Sequence, residues 1–65
     1  MDITTMYPKE CRKNIKRLVS AVGMSSETAY AMILMTAALM DLRPEDSIVV
    51  DYVLEDCGIF PEQIA

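Results

Sequence analysis

AYAMILMTAALM, residues 29–40, is the stretch whose reading decides the fold. Its apolar character is interrupted only by Thr36. As a helix it spans about 18 Å, well short of a bilayer core of about 30 Å, so it predicts a core helix and not a membrane span. A helix that is apolar nearly all round must be surrounded by protein. Two flanking helices of one chain cannot cover its whole circumference. The segment therefore predicts a second chain packed against the first.

Working outward, Ser25 or Ser26 stands where a hydroxyl can accept an orphan backbone N–H, and Glu27 suits the positive end of a helix dipole. Helix 2 is expected over 26–41. Before it, Pro8 suits a first helical position and Gly23 a C-terminal cap, which frames helix 1 over 8–22. Cys11, Ile15, Leu18, Val19 and Val22 recur at helical spacing on one face, with Lys9, Arg12, Lys13 and Lys16 opposite. After it, Pro44 opens a third helix over 44–57, with Glu45 and Asp46 in its first turn and Gly58 as its stop. Ile48, Val49, Val50, Tyr52, Val53, Leu54 and Cys57 form a wide apolar arc, and Asp51 and Glu55 lie one turn apart on the polar side. The run SIVVDYVL is rich in β-branched residues, so a strand is the rival reading there. Ile59 and Phe60 are expected to fold back onto the core. At the other end, Ile3, Thr5 and Tyr7 alternate with Asp2, Thr4 and Met6, which predicts a short extended segment over 2–7. The expected fold is all-α, one domain of three helices over residues 1–65, with a candidate N-terminal β-strand.

A domain of 65 residues buries only about 60% of its unfolded surface and usually needs a staple. The chain has no His, and Cys11 and Cys57 lie far apart with no CxxC motif, so no zinc site is expected. MDITTMYPKE lacks the basic start and apolar core of a secretory signal. The expectation is a cytoplasmic protein with both thiols reduced, buried and inert. Oligomerisation is the staple that remains. With 52% hydrophobic residues, order is expected.

The net charge of −4 is unevenly placed. Residues 1–33 carry five Lys and Arg against three acids, a balance of +2, and residues 34–65 carry Arg43 alone against seven acids, a balance of −6. The chain has a basic head and an acidic tail. Enzyme chemistry is not expected. The commonest general base is missing, and two glycines cannot build a phosphate-cradling loop. Asp51 with Glu55, and Glu45 with Asp46, read as solvated acidic faces. No catalytic residue, metal, cofactor or small-molecule substrate is expected.

The order of extended segment, Pro8, helix, Gly23, Ser25 and second helix resembles the ribbon-helix-helix family of small dimeric DNA-binding repressors and antitoxins, over residues 2–40. The family's apolar positions three, seven, ten and eleven residues after the proline fall on Cys11, Ile15, Leu18 and Val19. Its glycine about fifteen residues on falls on Gly23, and its Gly-x-Ser helix start is matched by GMSSE. The resemblance implies an intertwined homodimer, with the N-terminal segments paired as an antiparallel ribbon and helix 2 crossing its mate. Helix 3 would be an added element, covering the face of helix 2 that carries Ala31, Met32 and Met35. Interface residues would be Ile3, Thr5, Tyr30, Ile33, Leu34 and Ala37. Ribbon readers in the major groove would be Asp2, Thr4 and Met6, and Ser25 and Ser26 would hold a phosphate.

The expected function is stoichiometric regulation by a homodimer, as a repressor or antitoxin. Lys9, Arg12, Lys13, Lys16 and Arg17 would face nucleic acid together with Thr4, Ser25 and Ser26. Met32, Met35, Asp51 and Glu55 would meet a protein partner, flexible Met side chains suiting an adaptable surface. Base readers are typically Arg, Lys, Asn or Gln, which Asp2 and Met6 are not. The alternative is therefore a protein–protein adaptor or inhibitor that keeps the dimer and binds no nucleic acid. A helix-turn-helix parse fails because helix 2 offers almost no polar side chain to a groove.

Overall fold

The computed structural model describes residues 8–60, which form three helices: α1 (Lys9–Val22), α2 (Ser26–Met40) and α3 (Ser47–Asp56). All-α architecture is thus established for the described residues. The expected N-terminal strand, residues 2–7, lies outside them.

Helix α1 follows Pro8, whose φ of −54° and ψ of 135° deliver an extended chain into the first turn. It ends at Gly23 in the left-handed conformation, φ 78°, whose N–H donates to the Val19 carbonyl at 2.9 Å. A Cβ there would be strained, so glycine is the residue that fits. Ser25 caps α2: the Thr28 N–H donates to its Oγ at 3.2 Å, and that hydroxyl donates to Thr28 Oγ1 at 2.9 Å. The α2 terminus is unusual, because the left-handed position, φ 55°, is filled by Asp41. The Leu42 N–H then closes the end on the Ala37 carbonyl at 2.8 Å.

Helix α3 is helical despite its β-branched run. Val49, Val50, Val53 and Leu54 are all buried, which is the one-face spacing of a helix and not the alternation of a strand. It starts three residues later than Pro44, at Ser47. Pro44 to Asp46 form a turn instead, with the Asp46 N–H donating to the Arg43 carbonyl at 3.0 Å. Asp46 stands at the N-cap position with its carboxylate turned back, accepting from the Arg43 N–H at 3.3 Å and the Arg43 guanidinium at 3.2 Å. At the far end Gly58, φ 83°, allows Ile59 N–H to reach the Leu54 carbonyl at 2.8 Å. Ile59 packs against the core as expected, whereas Phe60 stays 43% exposed. The turn that brings Ile59 back is complete before Phe60.

The core takes Cys11, Ile15 and Leu18 from α1, Ala29, Ile33 and Ala37 from α2, and Val49, Val50, Val53 and Leu54 from α3. Ala29 and Ala37 flank Ile33 one turn away on each side, so small residues let the other helices approach while Ile33 fills the centre. Among these apolar side chains lies Asn14, only 3% exposed. Its Nδ2 donates to the Pro44 carbonyl at 2.8 Å and the Asp46 carbonyl at 3.2 Å, tying α1 to the turn before α3. Among the described residues no single helix is long and apolar enough to cross a membrane; α1 and α2 pass by length and composition only as a pair bent by 115°.

Candidate binding surfaces

Three surfaces remain once the core is closed. The first is the outer face of α1. Lys9, Lys13 and Lys16 are exposed there and enter no ion pair among the described residues. Arg12, on the same helix, is half-buried. Arg17 behaves differently: its guanidinium donates to the Ser47 carbonyl at 3.4 Å and pairs with Asp51 at 3.5 Å. Two residues assigned to separate sites, one for nucleic acid and one for a protein partner, thus bind each other and bridge α1 to α3. Arg43 is likewise held in its own turn by Glu45 at 3.7 Å and Asp46 at 3.2 Å.

The second surface is on α2. Its circumference divides cleanly. Ile33 and Ala37, expected at a dimer interface, are filled by the chain's own core, and Tyr30 and Met32 pack half-buried against it. Opposite them, Ala31, Leu34, Met35, Ala38 and Leu39 form an exposed stripe at helical spacing. Leu34 is 40% exposed, Met35 60% and Leu39 79%; Met40, 45% exposed, is the last helical residue and falls on the opposite, Ile33 side. Of the expected interface residues only Leu34 lies on this stripe. Helix 3 does not cover Ala31 and Met35 as expected: both are exposed, and with Ala38 and Leu39 they lie on the side away from the core. A uniformly apolar helix gives no sign of which side its own chain covers. Ile3 and Thr5, with Thr4 and the other ribbon residues, lie outside the described residues.

The third is a trough between α1 and α3 of about 510 Å³. Val50, Leu54 and Ala21 give it an apolar floor, and Lys13, Lys16, Arg17 and Ser20 line its α1 side. Glu55 is exposed near the end of α3. At the start of α2, the Ser25 hydroxyl is engaged as a cap and Ser26 is half-buried at the first helical position.

The thiols differ from each other and from expectation. Cys11 is buried, and desolvation raises its pKa above the ordinary thiol value of 9.0, with Glu45 and Glu10 adding repulsion against a thiolate. Cys57 is exposed, because it falls just past the last helical residue where α3 leaves the core. Both are free. No cluster of three metal-ligating side chains occurs among the described residues.

No protein-family model matches the chain, and no curated protein or solved structure is significantly similar to it.

Proposed function

We propose that this chain is a homodimeric regulatory protein of the ribbon-helix-helix kind, acting by stoichiometric binding as a repressor or antitoxin. The observation that carries the reading is the α2 stripe. Leu34, Met35 and Leu39 are exposed on the side of α2 opposite the core, with α1 and α3 packed on its Ile33 side. Large contiguous apolar patches on small proteins mark interaction sites. A second copy supplies a matching stripe, and Ala31 and Ala38 permit close approach of the two α2 axes. Burial of each large side chain contributes roughly 1.5–3 kcal/mol before the entropy of association is subtracted.

Phosphate is the target that suits α1. Lys9, Arg12 and Lys13 lie in its first turns, where the helix dipole disfavours cations by about 0.3–1 kcal/mol each. Positive charge concentrated against that gradient favours an anionic ligand. Three lysines from each of two copies would release counterions on binding duplex DNA, giving a slope of about −5 in log affinity against log salt. Titration against random duplex at low and moderate salt tests this. Micromolar binding that weakens with that slope supports the reading, and no binding at low salt contradicts it.

The second reading is an adaptor or inhibitor that binds protein alone. The acidic half of the chain favours it: Asp41, Glu45, Glu55 and Asp56 are exposed and repel a duplex. Under that reading the dimer persists while the duplex titration stays flat.

A further inference from the structure

Met35 is the middle residue of the exposed α2 stripe, with Leu34 beside it, Ala31 one turn before and Leu39 one turn after. At 60% exposed it is the most accessible methionine among the described residues. Met24 and Met32 are half-buried against the core, and Met40, less exposed, ends the helix on the Ile33 side. A thioether in water is open to oxidation, and its sulfoxide is polar where the thioether was apolar. The surroundings of Met35 make that product costly to cover. No side chain of the stripe carries a hydrogen-bond donor, and the backbone N–H groups in the middle of α2 are engaged along the helix. A sulfoxide oxygen pressed between two such stripes exchanges its water for alkyl groups.

We propose that Met35 is an oxidation site whose sulfoxide separates the two copies of the chain. The inference rests on the pairing through α2 proposed above and names how that pairing is controlled. The oxidant is hydrogen peroxide. A lone pair on the Met35 sulfur attacks one peroxide oxygen, the O–O bond breaks, and the proton on the transferred oxygen passes to the departing hydroxide. Sulfur is oxidised to the sulfoxide and the peroxide is reduced to water. Paired chains cover the sulfur and single chains display it. Oxidation therefore draws on the dissociated population and then holds it apart. Because a two-fold interface uses the same patch from each copy, one dimer has to cover both Met35 side chains.

In the test, hydrogen peroxide is applied to the full chain over a range of protein concentrations. Thiols are then restored with dithiothreitol, which leaves the sulfoxide in place. Sulfoxide at each methionine is read by peptide mass spectrometry, and the oxidised chain is sedimented. Oxidation at Met35 should slow several-fold as concentration rises through the association range, while oxidation at Met40 keeps a constant rate. Sulfoxide at Met35 should raise the dimer dissociation constant by about tenfold or more. Met40→Leu should respond to peroxide as the native chain does, and Met35→Leu should sediment alike before and after treatment. Met35→Gln, polar without any oxidant, should dissociate untreated while keeping its far-ultraviolet circular dichroism. Peroxide-induced dissociation of Met35→Leu would overturn the proposal and place the effect at another group, such as the exposed Cys57. So would a native chain that stays paired with Met35 fully oxidised, a result that leaves the α2 pairing standing. A native chain that is single at every concentration before peroxide is added would remove the pairing itself and this inference with it.

Discussion

Asn14 is a polar side chain in an apolar row, and its position explains a feature that the spacing of α1 alone does not. Its carboxamide satisfies two carbonyls of the Pro44–Asp46 turn and thereby fixes where α3 begins. Replacing it with Ala takes the side-chain donor from the Pro44 carbonyl, while the Asp46 carbonyl keeps the Val49 N–H at 3.1 Å. The expected loss is about 1–3 kcal/mol in urea unfolding. Asp41 acts in the opposite sense. It holds a left-handed conformation at the negative end of the α2 dipole, two unfavourable circumstances in one residue. Asp41→Gly should raise stability by about 0.5–1 kcal/mol, seen as a higher urea midpoint with an unchanged slope. The thiols give a third test. Cys57 should react promptly with a thiol reagent at pH 8, and Cys11 only as the chain unfolds. Because the folded Cys11 pKa lies above the unfolded value, its protonated form is favoured by folding. Its stabilising contribution is complete below the ordinary thiol pKa of 9.0 and is lost as pH rises through the folded value. A Cys11→Ala variant should lack that alkaline decline.

The three helices differ in how much of them the sequence displays. In α1 apolar and basic positions segregate by face, and Pro8 and Gly23 bracket it, so its extent and buried side are both legible. In α2 the limits are legible from Ser25, but its orientation is not. Apolar residues occupy every face, so periodicity cannot tell Ile33, which is buried, from Leu34, which is exposed. In α3 the β-branched run hid the helix and Pro44 suggested too early a start; the contact from Asn14, thirty residues away in sequence, settles the boundary. Tertiary contacts of that range leave no local signature. The trough was invisible for the same reason, since Ala21 and Ser20 gain a role only when Val50 and Leu54 lie beside them. Substitution separates the two sides of α2. Ile33→Ala should cost about 2–5 kcal/mol by opening the core. Leu39→Glu should leave the helical content of the chain intact at high protein concentration and weaken self-association instead.

As a whole, the molecule gathers cations on α1 and acids in the α2–α3 turn and on α3, with an apolar stripe along α2. A single copy leaves that stripe in water, and a chain of this size has little core from which to offset the exposure. The proposed pairing through α2 would remove it. Sedimentation equilibrium at micromolar concentration, with Leu39→Glu run alongside, tests the pairing most directly. The native chain should sediment at twice its 7.3 kDa mass and dissociate on dilution, with the variant shifted toward the single-chain mass. A native chain that stays cooperatively folded at 7.3 kDa across the whole concentration range would contradict it.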